Sequence, residues 1–112
     1  MRARIIAGLT AGVIAALFSL TPATAAENHK AEALKHAEAA VESGKKGDAA
    51  AVGEHASAAK THAEAAEQAK ANPHLEAAIK SLDGAIAHSK MGHADIAGKS
   101  AEEAVSHLKA AP

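Results

Sequence analysis

The feature that most constrains the fold of this chain is a seven-residue repeat in which alanine fills the apolar positions. The segment His36-Ala-Glu-Ala-Ala40 recurs as His62-Ala-Glu-Ala-Ala66 and, more loosely, as His74-Leu-Glu-Ala-Ala78. Residues three, four and seven apart share one face of an α-helix, so this spacing predicts amphipathic helices with a narrow apolar stripe. Because alanine favours helix strongly and strand weakly, the chain is predicted to be all-α.

The composition removes several classes of protein from consideration. The sequence contains no Cys, Trp or Tyr, and Phe18 is the single Phe. It therefore has no disulfide, no thiolate metal site and no aromatic core. The formal net charge of −1 lacks the basic excess typical of nucleic-acid binding, so no nucleic-acid partner is expected.

Three breaks divide residues 27–112 into helices. A turn at 44–47 contains two glycines, Asn72-Pro73 is a capping pair, and Met91-Gly92 is the third break. The predicted helices run over Asn28–Ser43, Asp48–Ala71, Pro73–Lys90 and His93–Ala111. Short connections make neighbouring helices antiparallel. The fold is predicted to be an up-down-up-down antiparallel four-helix bundle with an alanine-rich core over residues 27–112.

The heptad repeat also predicts which side chains are buried. With histidine placed at position g, positions a, d and e form the apolar stripe, and g lies at its edge. Position a holds Ala37, Ala56, Ala63, Leu75, Ala94 and Leu108, and position d holds Ala33, Ala40, Ala59, Ala66, Ala78, Ala97 and Ala111. Position e holds Leu34, Val41, Ile79, Ile86 and Val105.

The first 26 residues have the pattern of a secretory signal peptide. Arg2 and Arg4 precede an apolar run over 5–20, and small residues at 23–25 follow the break at Pro22. The run is short for a membrane span. We expect cleavage after Ala25 or Ala26, which gives a periplasmic protein without a membrane anchor.

Eight histidines lie on the helices at spacings of seven or 14 residues: His29, His36, His55, His62, His74, His88, His93 and His107. Seven residues span about 10 Å of helix, so two histidines of one helix cannot bind the same ion. In an antiparallel hairpin, residues equally far from the turn lie at one level. This predicts four histidine pairs: His36/His55, His29/His62, His88/His93 and His74/His107.

Neutral imidazole is a good ligand for divalent transition metals, so all eight histidines are candidate metal ligands. The affinity order of nitrogen sites favours Cu(II), with Ni(II) and Zn(II) as further ions. Met91, the one methionine after residue 26, is expected to pack near its turn rather than to bind a metal, and one methionine without cysteine argues against a Cu(I) specialist. Glu32 and Glu103 each precede a histidine by four residues and are interpreted as ordinary surface charges.

These His-Ala-Glu-Ala-Ala heptads resemble those of the small periplasmic metal-binding proteins, and the resemblance covers the chain after the signal segment. It implies a four-helix bundle that binds copper and other divalent metals.

Two other functions remain to be compared with metal binding. An enzyme is not expected, because the Glu-x-x-His pattern of di-iron bundles, His-Glu-x-x-His and the haem-attachment motif are all absent from the sequence. The alternative is a metal-free helical envelope protein with a stress or interaction role, for which Ile96, off the apolar stripe, would be a docking point. We expect a monomer in either case.

Overall fold

The computed structural model describes residues 22–112, which form four α-helices. They are α1 (Pro22–Lys45), α2 (Ala49–Ala69), α3 (Pro73–Lys90) and α4 (Ala94–Ala110). The predicted fold class is confirmed. Residues 1–21, which include most of the predicted signal peptide, lie outside the described residues.

The largest difference from the predicted boundaries is at the start of α1. The described residues are already helical from Pro22 rather than from Asn28, and the helix continues to Lys45. The alanine-rich residues after Pro22 have high helix propensity, so nothing local keeps the segment before Asn28 out of the helix. Asp48 caps α2 by accepting a hydrogen bond from the Ala51 amide. Asn72 caps α3 in the same way through the His74 amide.

The helices pack as a closed ring of neighbours. Each helix contacts its neighbours in sequence, and α4 closes the ring against α1, whereas α2 and α4 meet only slightly across the centre. We call α1 with α2 hairpin 1 and α3 with α4 hairpin 2. In residues 22–112, no helix combines the length and apolar character needed to cross a membrane.

The core consists almost wholly of the predicted a and d positions. The alanines at these positions in the middle of the helices have no exposed surface, and Val52, Leu82 and Leu108 are the largest side chains that are fully buried. The e-position residues are only partly buried and pack against the outside of this core. Alanine allows helix axes to approach closely, so the larger e residues lie at the flanks rather than between the helices.

Two large apolar side chains lie outside this pattern. Ile96 is 44% exposed, in keeping with its position off the stripe, and Met91 is 57% exposed. The prediction that Met91 packs near its turn is therefore wrong. Met91 is the C-cap residue of α3, so it lies where the helix ends and its side chain is not on the buried face of the helix.

A glycine contact sets the approach of α1 to α4. A Cβ atom added at Gly44 would lie 2.7 Å from the Cα of Gly98, and one added at Gly98 would lie 3.1 Å from the Cα of Gly44. These distances are shorter than ordinary contacts and involve backbone atoms. Both positions therefore need glycine for the two hairpins to pack at this distance.

An ion pair connects the hairpins on the other side of the bundle. The Lys60 ammonium of α2 lies 2.6 Å from an Asp83 carboxylate oxygen of α3 and 3.9 Å from Glu64. The hydrogen bond and the charge of Asp83 raise the pKa of Lys60 above its usual value.

Candidate metal centre

All four predicted histidine pairs are neighbours in the structure. The ring centroids are 5.4 Å apart for His29/His62, 6.3 Å for His36/His55, 6.1 Å for His74/His107 and 6.4 Å for His88/His93. Two rings that bind one ion from opposite sides have centroids about 6 Å apart, because each metal–nitrogen bond is about 2 Å long. Each pair is therefore close enough to share an ion after small side-chain rotations.

The tightest pair is His29 with His62. Their Nδ1 atoms are 3.1 Å apart, a hydrogen-bond distance, so one ring donates its N–H to the lone pair of the other. This contact holds both rings between α1 and α2 without a metal.

Hairpin 1 has an additional contact that the pairing argument did not predict. The rings of His36 and His62 are 5.7 Å apart and nearly parallel, with an interplanar angle of 5°. The four rings therefore form a continuous series, which we call the histidine row: His29, His62, His36 and His55.

The direction of helical side chains explains this contact. Side chains lean towards the N-terminus of their own helix, so side chains on antiparallel helices lean in opposite directions. Counted from the turn, His36 and His62 lie at positions that differ by seven residues, or about 10 Å along the helix axes. Their side chains lean towards each other. In hairpin 2 the two pairs are separated by 14 residues, about 21 Å, which is too far for the same contact. The seven-residue spacing of the histidines therefore makes this contact possible, and the packing distance between α1 and α2 decides that it forms.

One carboxylate joins the histidine row. Glu32, His36 and His62 each offer a ligand atom, and these atoms all lie within 4.8 Å of one another. Among residues 22–112, this is the one group of three or more His, Cys, Asp or Glu side chains with that spacing. Interpreting Glu32 as only a surface charge was therefore incomplete, because α2 brings a second imidazole to the Glu32–His36 face of α1.

The contacts around Glu32, His36 and His62 are weak enough for these side chains to move towards an ion. All three side chains are partly buried, at the edge of the core. Glu32 also pairs with Lys35 at 3.6 Å, but the two side chains are 46% and 74% exposed. An exposed pair of this kind contributes little and is easily exchanged for a stronger ligand. The ligand atoms need to close by about 1 Å to share one ion.

The other predicted site residues have different surroundings. His74 is exposed near the start of α3, and its partner His107 is partly buried. Glu103 is exposed, and no cluster with His107 forms within the part of the chain that the structure describes. His88 and His93 flank the turn between α3 and α4. The structure thus brings the eight histidines into one row of four and two separate pairs.

Comparison with known proteins adds one finding to this geometry. The model of a family described as small metal-binding protein matches residues 3–111. The matched region includes all eight histidines and every helix of the bundle. No curated protein matches the chain.

Proposed function

The chain belongs to the small metal-binding protein family, and on that premise we propose that it binds divalent transition metals through the histidines at the edges of its bundle. Cu(II) is the preferred ion, and Ni(II) and Zn(II) bind more weakly. The observation that carries the proposal is the Glu32, His36 and His62 cluster, in which two helices contribute ligand atoms within 4.8 Å of one another.

The donor set supports this choice of metals. Two imidazole nitrogens and one carboxylate oxygen suit Cu(II), which accepts nitrogen and oxygen ligands in tetragonal geometry. Water can fill the remaining coordination positions, because the three side chains lie at the edge of the core. A site of mixed nitrogen and oxygen ligands follows the general affinity order of these metals, in which Cu(II) binds more tightly than Ni(II) or Zn(II).

The remaining pairs extend the proposal to further ions. His74/His107 and His88/His93 each offer two imidazoles at a similar ring separation. Two ligands hold a metal less firmly than three, so these pairs would fill after the Glu32 cluster. The proposed role is scavenging, buffering or delivery of metal in the periplasm after removal of residues 1–26, with no catalytic step.

Isothermal titration of the purified protein with Cu(II), Ni(II) and Zn(II) tests the proposal. We expect saturable binding in that order of affinity, and His36→Ala or His62→Ala should each weaken the tightest Cu(II) site at least tenfold. His74→Ala is the matched control, because it removes an imidazole outside the cluster and should leave the tightest site unchanged. Absence of saturable binding to the unmodified protein would favour a metal-free role.

A further inference from the structure

The turns within the two hairpins have the same backbone structure. In hairpin 1 the amides of Lys46, Gly47 and Asp48 donate to the carbonyls of Ser43, Gly44 and Ser43, and the Lys46 amide is shared with the Glu42 carbonyl. In hairpin 2 the amides of Met91, Gly92 and His93 donate to the carbonyls of His88, Ser89 and His88 in the same order. The glycines at the two turns have φ values of 77° and 79°. The turns can therefore be compared residue by residue.

In the turn of hairpin 1, two of the three corresponding side chains have structural roles. Ser43 donates its hydroxyl to the Ala39 carbonyl at 3.0 Å. Asp48 accepts from the Ala51 amide at 3.0 Å and so caps α2. Lys46 projects into solvent, as a turn lysine commonly does.

The corresponding side chains in hairpin 2 lack these roles. His88 replaces Ser43, and within the described residues its Nδ1 is a buried atom without a hydrogen-bond partner. His93 replaces Asp48 at the N-cap of α4, where its side chain makes no capping hydrogen bond. Met91 replaces Lys46 and is a 57% exposed thioether. At each of the three positions, hairpin 2 has a soft or intermediate metal ligand where hairpin 1 has a side chain that suits the turn.

We propose that His88, Met91 and His93 form a separate site for a soft monovalent cation, Cu(I). Thioether sulfur selects Cu(I) over harder divalent ions, and imidazole binds copper in both oxidation states. The rings of His88 and His93 are 6.4 Å apart, which is close to the separation of two imidazoles that bind one ion. Met91 lies between them in the chain, on a turn closed by the hydrogen bond from the His93 amide to the His88 carbonyl.

The three donors are neutral, so the occupied site carries only the single charge of the ion. A divalent ion there would keep its full double charge, whereas Glu32 offsets part of that charge in the cluster of hairpin 1. A rotation of the His88 ring towards the ion would also take its unpartnered Nδ1 out of the buried position. Binding at this site rests on the proposed function, which assigns the His88/His93 pair to divalent ions, and refines it: with the Met91 thioether as third donor, the pair prefers a monovalent ion. Binding involves no electron transfer.

Titration with Ag(I), a stable probe for Cu(I) sites, tests the proposal when the methionine methyl groups are labelled with ¹³C. We expect the Met91 methyl resonance to shift and to saturate at one equivalent, and Met91→Leu to weaken Ag(I) binding at the turn at least tenfold. Met91→Leu keeps the size of an exposed side chain, so circular dichroism should show an unchanged fold. An unshifted Met91 methyl resonance, or equal Ag(I) affinity in Met91→Leu, would overturn the site.

Two further variants separate this site from the divalent site. His93→Asp copies the residue of the other turn, so it should raise the melting temperature by capping α4 and also weaken Ag(I) binding at the turn at least tenfold. Its tightest Cu(II) site should be unchanged. His36→Ala should show the opposite result, with Cu(II) binding weakened and the Met91 methyl shift retained. Retention of full Ag(I) affinity in His93→Asp would contradict the proposed ligand set.

Discussion

At the scale of single residues, the position of His62 distinguishes this molecule from a set of independent histidine pairs. His62 contacts both His29 and His36, and Glu32 lies beside the second contact. If the histidines are paired only by their distance from the turn, His36 is paired with His55. The structure shows two candidate partners for His36, and among residues 22–112 only His62, on the Glu32 side, completes a group of three ligands.

This difference can be measured with a double-mutant cycle. His36→Ala and His62→Ala should each weaken the tightest Cu(II) site at least tenfold, and the double variant should cost little more binding free energy than either single variant. Residues that act in one site are strongly non-additive, whereas distant residues are additive. His36→Ala combined with His107→Ala is the control and should show additive losses in a Cu(II) titration. Additive losses for His36 and His62 would show that the two rings bind different ions.

The same ligands make metal binding sensitive to pH. Protons compete with the metal for the ring nitrogens, so the affinity for Cu(II) should fall as the pH decreases from about 7 to 5, with proton release on binding. Calorimetry in two buffers of different ionisation enthalpy measures the released protons. An affinity that stays constant over this range would indicate binding by carboxylates alone.

At the scale of helices, the contact of α1 with α4 depends on two glycines, Gly44 in the last turn of α1 and Gly98 inside α4. Glycine in a helix interior is less favourable than alanine by about 0.5–1 kcal/mol. Gly44 and Gly98 are nevertheless required, because a Cβ at either position would meet backbone atoms of the other helix. Gly84 has no such neighbour, since an added Cβ would meet only the Ser100 side chain at an ordinary 3.5 Å.

Alanine substitutions should therefore have opposite effects at these glycines. Gly44→Ala should lower the free energy of unfolding by about 1–3 kcal/mol, because overpacking forces the helices apart. Gly84→Ala, the matched control, should raise it by about 0.5–1 kcal/mol through helix propensity. Urea unfolding followed by circular dichroism measures both changes. A stable Gly44→Ala protein would mean that α1 and α4 can separate at little cost.

At the scale of the whole molecule, the two hairpins differ in how much apolar surface they bury. Hairpin 2 contributes Leu75, Leu82 and Leu108 to the core, whereas Val52 is the one buried apolar side chain larger than alanine that the described part of hairpin 1 provides. A large aliphatic side chain contributes roughly 1.5–3 kcal/mol when buried, and alanine contributes much less. Hairpin 1 is therefore expected to be the less stable half, and it also holds the histidine row.

Metal binding should compensate for this weak packing. Cu(II) that joins α1 to α2 at the Glu32 cluster should raise the melting temperature and slow amide exchange more in residues 28–71 than in 73–111. A ligand that binds only the folded state contributes about 2.7 kcal/mol at one hundred times its dissociation constant. Hydrogen exchange with mass spectrometry, with and without Cu(II), measures the difference. Protection confined to residues 73–111 would show that the histidine row does not hold the metal.

Much of this arrangement is local in origin and was predictable. The alanine-rich heptads, the breaks near Gly47 and Pro73, and the buried a and d positions depend on helix propensity and on the 3.6-residue period, which neighbouring residues in the chain define. The four histidine pairs depend only on distance from a turn, so they too could be derived from spacing. The start of α1 was placed too late because alanine continues the helix through residues that carry a cleavage pattern.

The sequence by itself thus determined the helices, their antiparallel order, their buried faces and the levels at which histidines meet. Only the tertiary structure decided that Glu32 and His36 of α1 meet His62 of α2, that Gly44 touches Gly98, and that Met91 is exposed. These features depend on how closely two helices approach and on the direction in which side chains lean across the gap between them. Periodicity along one helix specifies which face a residue occupies, whereas the packing distance between helices decides which atoms converge.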